Sequence, residues 1–218
     1  GRRRAGAGPE ALTDRMDDRL AALCARLGLP ADLRHDPLWS AAPDFLTLIA
    51  EHVLARRPAT VVECSSGTST VILAAACRQN GSGRVHSLEH GPDFAQATRA
   101  ELDRLGLADW ARVIDAPLVD WPLEGQPQAW YACDALPETA IDLLVVDGPP
   151  GFLGPRARGP ALPLLHARLA DACTVFLDDA DRPDEQAIVA DWRTRFPEFT
   201  MHWLDAERGC ARLERGLG

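Results

Sequence analysis

Six carboxylates in this 218-residue chain fall where apolar, strand-like runs end: Glu63, Glu89, Asp115, Asp147, Asp178 and Asp179. In an open parallel sheet those ends border the crevice in which ligands bind. The coincidence carries more than any one residue. Acidic side chains gathered at one edge accept hydrogen bonds from hydroxyls, pair with cationic groups and repel anions.

The stretch TVVECSSGTST, residues 60–70, places Glu63 just before a turn of small, hydroxyl-bearing residues. Ser65, Gly67 and Ser69 keep the side chains small where the backbone would turn against a ligand, and Ser69 and Thr70 are candidate helix caps. With one glycine the motif is weak, and an ordinary capped turn would look the same. Glu89 adds weight, because it closes the next strand-like run 22 residues after Gly67. From that place an acidic side chain accepts hydrogen bonds from both hydroxyls of a ribose. A dinucleotide and S-adenosylmethionine (SAM) each carry such a ribose. Pyrophosphate wants G-x-G-x-x-G and a helix N-terminus free of negative charge. One glycine, with Glu63 at the entrance, suits instead a ligand with an ammonium and a sulfonium.

The elements that position these residues alternate. Leu12, Met16, Leu20, Leu23 and Leu27 recur at helical spacing, and a second helix is expected over Pro43–Ala55. Strand-like and helix-like runs then follow in turn: Thr60–Cys64 and Thr70–Arg78, Arg84–Glu89 and Asp93–Leu105, Ala111–Ala116, Ile141–Asp147 and Ala161–Ala170, Cys173–Asp178 and Asp184–Phe196. Phe199–Leu204 and Gly209–Glu214 close the chain as a hairpin. The expected class is α/β: a Rossmann-like open, mostly parallel seven-stranded sheet with helices on both faces and a C-terminal antiparallel hairpin. Residues 1–9 read as a mobile tail, 10–57 as N-terminal helices covering the domain, and 58–218 as the ligand-binding domain. Pro117–Thr139, with Trp121, Trp130 and Tyr131, reads as a packed excursion.

Composition excludes several classes. A net charge of −9 argues against a protein that neutralises nucleic-acid phosphates. No apolar run approaches the roughly 20 residues of a membrane span, so a soluble, cytoplasmic protein with a small-molecule partner is expected. The six cysteines lie apart and read as buried thiols. There is no lysine, which removes Schiff-base chemistry and a P-loop.

In order, VVECSSGTST, VHSLEH, VIDA and IDLLVVDGPP resemble the motifs of class I SAM-dependent methyltransferases over residues 36–214. The family's E-x-G-x-G-x-[GS] falls on Glu63, Ser65, Gly67 and Ser69, with Ser65 where the family has glycine. The resemblance implies that these residues and Thr70 hold SAM, that Glu89 binds its ribose, that Asp115 and Ala116 border the adenine and that Asp147 lies near the reactive methyl.

WYACDALPETAIDLLVVDGPPG and VFLDDADR further resemble a small bacterial branch related to catechol-type and macrolide-sugar O-methyltransferases. By that likeness Asp147, Asp178 and Asp179 would hold a magnesium ion, and three hard oxygen donors suit one. The bland alternative is that Asp178 and Asp179 cap the next helix. The catechol-type lysine base is absent, Pro150 standing there, so the candidates are Asp147 or Asp179 as base, or the metal alone without one. Arg156 and Arg158, in the Gly- and Pro-rich loop Gly148–Pro160, are candidates for a substrate anion, and Trp39 and Ser40 for closing the cofactor pocket.

The expected function is magnesium-assisted O-methylation of a small hydroxylated metabolite, sugar-bearing or phenolic, by a protein for which a homodimer is one candidate state. An NAD(P)-type Rossmann oxidoreductase and a non-catalytic SAM-binding protein are the alternatives.

Overall fold

A computed structural model describes residues 9–33, 35–36, 40–123 and 126–217. Helices α1 (Pro9–Arg26) and α2 (Pro43–Arg56) lead into β1 (Thr60–Cys64), α3 (Thr68–Asn80), β2 (Arg84–Glu89), α4 (Pro92–Arg104) and β3 (Ala111–Asp115). A hairpin of β4 (Leu118–Leu123) and β5 (Gln126–Tyr131) precedes β6 (Ile141–Val146), α5 (Ala161–Leu165), β7 (Leu169–Asp178), α6 (Pro183–Arg195), β8 (Thr200–Leu204) and β9 (Cys210–Arg215).

The expected seven-stranded sheet is present, in the order β3-β2-β1-β6-β7-β9-β8. Strands β1, β2, β3, β6 and β7 run parallel, and β9 is antiparallel to both β7 and β8. The chain builds β2 and β3 on one side of β1, then returns to build β6 and β7 on the other. Between β1 and β6 the winding direction reverses, which opens a crevice at the carboxyl ends of those two strands.

Alternation sends successive side chains to opposite faces. Val61, Leu143 and Val145 meet Leu23 of α1 and Leu27 just beyond it, Phe45, Ile49 and Val53 of α2, and the apolar side of α3. Val62, Cys64, Leu144 and Val146 meet Trp130, Tyr131, Leu162, Leu165, Ile188 and Trp192. Being covered on both sides is why β1 and β6 read as continuous apolar runs.

Two segments depart from expectation. The helix expected over Ala161–Ala170 is the short α5 followed by a 3-10 turn at His166–Arg168, and β7 begins at Leu169 instead of Cys173. Leu169 pairs with Ile141, and Arg215 Nη2 donates to the carbonyls of Leu169 and Ala170 at 3.1 and 2.8 Å, so tertiary partners hold this backbone as a strand. The excursion holds a strand pair in which Pro122 faces Pro127, and two prolines erase the local strand signal.

No described helix is long and apolar enough to cross a membrane. All six cysteines are free thiols. Of the tail expected at residues 1–9, residues 1–8 lie outside the described residues, as does Trp39, while Pro9 opens α1.

Candidate active site

The turn after β1 is strained and open. Ser65 has φ 94°, a region that side-chain-bearing residues rarely adopt, and its N–H donates to Leu88 O at 2.9 Å. Gly67 has φ 154°, and a Cβ placed on it would meet nothing within 4 Å. The backbone there borders open space, as a ligand cradle requires. Helix α3 begins at Thr68 with Gly67 as its cap, so the caps expected at Ser69 and Thr70 fall inside the helix. Thr70 Oγ1 instead accepts from Gly67 N–H at 3.1 Å and donates to Glu63 Oε2 at 2.6 Å. Ser87 Oγ donates to the same oxygen at 2.6 Å.

Glu63 is fully buried, and its Oε1 has no partner. Burial pushes its carboxyl up to about 7, against the hydroxyls of Ser69, Ser87 and Thr70 that favour the charged form. An oriented carboxylate with one unmatched oxygen is suited to a cation.

Glu89 braces the turn from β2. Its Oε2 accepts from Ser66 N–H at 2.9 Å and Ser66 Oγ at 3.0 Å, and its Oε1 from Gly91 N–H at 2.8 Å. A carboxylate accepts about four hydrogen bonds, so two ribose hydroxyls would displace one of these. Ser66 Oγ lies 3.2 Å from Thr98 Oγ1, a second partner for the displaced hydroxyl. Ala116 N–H donates to Glu89 O at 2.7 Å, which sets Ala116 beside Glu89, while Asp115 is exposed and pairs with Arg99 at 2.7 Å.

On the other side of the switch point, Asp147, Asp178 and Asp179 can each place a carboxylate oxygen within 4.8 Å of the others. Asp178 is 1% exposed, and neither of its oxygens has a hydrogen-bond partner; Asp179 Oδ1 also lacks one. Arg158 Nη2 lies 2.9 Å from Asp179 Oδ2 and 3.2 Å from Asp147 Oδ1, and Arg182 Nη1 lies 2.8 Å from Asp179 Oδ2. Burial carries the Asp147 carboxyl up to about 6 against the pull of Arg158, and holds Asp178 well above the usual carboxylate range.

Residues 62–180 match the family model for a methyltransferase domain. The chain belongs to the methyltransferase family. No curated protein sequence matches this methyltransferase. Its fold is shared by the SAH-bound Podospora anserina methyltransferase PaMTH1, at 16% identity and TM-score 0.64 over 97% of this chain and 98% of that one. The SAM-bound O-methyltransferase TomG of Streptomyces achromogenes, involved in tomaymycin synthesis, shares it at 15% identity and TM-score 0.58 over 93% and 91%. An O-methyltransferase from Bacillus cereus in complex with SAH does so at 15% identity and TM-score 0.60 over 93% and 91%.

The residues fit SAM: the open cradle at Gly67 and the unmatched oxygen of buried Glu63 lie along the crevice that Glu89 closes. They also fit a divalent cation. Asp178 presents two buried oxygens that the chain does not satisfy. When ionised, Asp147, Asp178, Asp179 and Glu185 oppose the guanidiniums of Arg158 and Arg182, with that of Arg208 also acting on Asp147, which leaves an excess of one negative charge.

The expected substrate arginines part company. Arg156 is exposed, its N–H donating to Asp184 Oδ2 at 3.1 Å. Arg158 turns inward to the chain's own carboxylates. Ser40 Oγ reaches Thr68 Oγ1 at 3.3 Å, so it borders the start of α3.

Three further residues belong to the site. Glu185, buried in the first turn of α6, lies 3.8 Å from Arg158 Nε; an acidic residue near a helix N-terminus is too ordinary to signal this. His90 Nδ1 lies 3.4 Å from Glu89 Oε1, and its ring packs on Tyr131 at 5.9 Å. Tyr131 is buried with its hydroxyl unpartnered. Its aromatic neighbours in sequence mark a core residue, and nothing local marks a wall of the crevice.

Proposed function

We propose that this methyltransferase transfers the methyl group of SAM to a hydroxyl of a small metabolite, assisted by a magnesium ion held by Asp147, Asp178 and Asp179. The observation that carries the reading is the meeting of these carboxylates beside the cofactor turn, with both oxygens of buried Asp178 unsatisfied. The names of TomG and the Bacillus cereus enzyme make oxygen the acceptor atom in two proteins of the same fold.

SAM supplies an electrophilic methyl group, and magnesium orients an acceptor hydroxyl and lowers its pKa. The chain does the rest. Glu63 pairs with the ammonium of SAM, Ser65, Gly67, Ser69 and Thr70 line its methionine end, and Glu89 takes its ribose hydroxyls beside Asp115 and Ala116. Asp147 or Asp179 accepts the acceptor's proton. Positioning the two reactants in line contributes most of the remaining acceleration.

The acceptor lies under the loop Gly148–Pro160. Phe152 there is 73% exposed and Leu153 44%, an apolar cover suited to a phenolic or sugar-bearing metabolite. Arg156, on the same loop, meets an anionic substituent where the acceptor has one.

Calorimetric titration of SAM with and without magnesium, and transfer of labelled methyl to a panel of phenols and glycosides, test the reading. SAM binding lost in Glu89→Ala, and magnesium-dependent transfer lost in Asp178→Ala, are expected. Absence of SAM binding in both conditions would sink it.

A further inference from the structure

Arg158 is 4% exposed, and its nitrogens face the acidic cluster. Nη2 sits between Asp179 Oδ2 and Asp147 Oδ1, at 2.9 and 3.2 Å. Nη1 donates to the main-chain carbonyl of Asp178 at 3.0 Å, and Nε lies 3.8 Å from Glu185 Oε1. An arginine that receives a substrate anion needs an open edge of its planar fork. This one is enclosed by groups from the ends of β6 and β7 and from the first turn of α6.

The cluster is therefore divided. Its guanidinium takes the edge between Asp147 and Asp179, while the two oxygens of Asp178 have no partner from the chain. We propose that Arg158 is a permanent cation of this cluster, one that competes with the divalent ion for Asp147 and Asp179 and thereby sets the metal affinity of the site. The proposal rests on the reading of these carboxylates as a magnesium site.

Two physical reasons support antagonism. A metal ion sharing Asp147 and Asp179 with a guanidinium stands close to a like charge in a poorly solvated place, where repulsion is strong. An oxygen already accepting a charge-assisted hydrogen bond is also a poorer metal ligand. Magnesium gives up its water reluctantly, so it is sensitive to both. Without a metal, the same guanidinium keeps Asp147 and Asp179 from facing one another unpaired. The site then holds together before the ion arrives and binds it weakly.

Calorimetry and the electron paramagnetic resonance of free Mn2+ on wild type, Arg158→Met and Arg158→Lys read the effect. Arg158→Met is expected to bind Mn2+ at least about tenfold more tightly than wild type, and Arg158→Lys, which keeps the charge, within about threefold of it. Saturating Mn2+ is expected to raise the melting temperature of Arg158→Met more than that of wild type. Equal or weaker binding by Arg158→Met, with wild type binding Mn2+, overturns the proposal and leaves the metal site standing. No binding by either protein removes the metal site itself, and the proposal with it.

Should Arg158→Met fail to fold, wild type still decides. The Nε–H signal of Arg158, assigned by its loss in Arg158→Lys, is expected to shift as magnesium is added. A signal that stays fixed while calorimetry reports binding overturns the proposal.

Discussion

The hydroxyl of Tyr131 closes directly onto the backbone of Gly148. A Cβ at Gly148 would stand 2.5 Å from Tyr131 Oη, 2.8 Å from Ser65 Cβ and 3.2 Å from Cys64 O. The hairpin, the first turn and the end of β6 thus meet at one residue beside Asp147, and the glycine is needed for space.

Gly148→Ala is expected to destabilise the protein by about 2 kcal/mol through overpacking. Tyr131→Phe alone should be near neutral, because the hydroxyl it removes has no partner. Together, the second change should recover about 1 kcal/mol of the first, the clash with Ser65 remaining. Denaturant unfolding of the four proteins in the cycle measures this coupling, and simple additivity would reject the contact as the cause.

Ser65→Gly should stabilise the protein. Ser65 sits at φ 94°, and such backbone strain costs about 1–3 kcal/mol, of which the entropy of a new glycine returns roughly 1. The net gain of about 1 kcal/mol corresponds to a melting temperature higher by about 2–4 °C. A lower melting temperature would mean that the serine side chain contributes more than its strain costs.

Glu63 is expected to make both stability and SAM binding depend on pH. Its carboxyl is raised from 4.5 to about 7 by burial, so the folded protein holds a proton that the unfolded chain has released. The associated stability is fully present below about pH 4.5 and is lost as pH rises through 7, an effect of about 3 kcal/mol. Stability profiles of wild type and Glu63→Gln from about pH 4 to about pH 8, which span both values, should differ by this slope. SAM affinity should rise through the same window in wild type alone, as the carboxylate forms to meet the ammonium.

His52 acts with the opposite sign. Burial first, then Arg56 and Arg212, lower it from 6.5 to about 4, so the unfolded chain takes up a proton that the folded protein refuses. Stability is lost as pH falls from 6.5 towards 4. His52 also packs edge-on against Phe176 at 5.3 Å, so His52→Phe keeps an aromatic ring there. Thermal melts of this variant should show a smaller loss on acidification than wild type, and an unchanged loss would clear His52 of the effect.

Asp178→Asn separates stability from metal binding. The buried carboxyl has no partner, and burial, then Asp147 and Asp179, keep it well above the usual range. Replacing it with a neutral isostere should leave metal-free stability unchanged or higher. Magnesium affinity should fall by about tenfold or more, since a charged ligand is lost. Calorimetry and melting on the same samples give both numbers. Joint loss of stability and affinity would assign Asp178 a structural role instead.

Much of the architecture was legible locally. Val61 and Val62, or Leu143 and Leu144, are adjacent apolar residues that need cover on both faces, and that requirement already implies a central parallel strand. Glu63, Glu89, Asp147, Asp178 and Asp179 follow such runs within a residue or two, so their gathering at one edge of the sheet followed from alternation alone. The strands around Pro122 and Pro127 and the early start of β7 were not legible, because their pairing partners and the stabilising Arg215 lie elsewhere in the chain.

By itself the sequence determined the succession of the seven strands of the main sheet, the carboxylates at strand ends and the small-residue turn, since each rests on periodicity or on residues adjacent in the chain. Tertiary structure alone decided between Arg156 and Arg158, two identical side chains two positions apart. One is exposed and the other enclosed by Asp147, Asp179 and Glu185. Burial and charge pairing depend on which distant segments return to a point, and no local pattern encodes that.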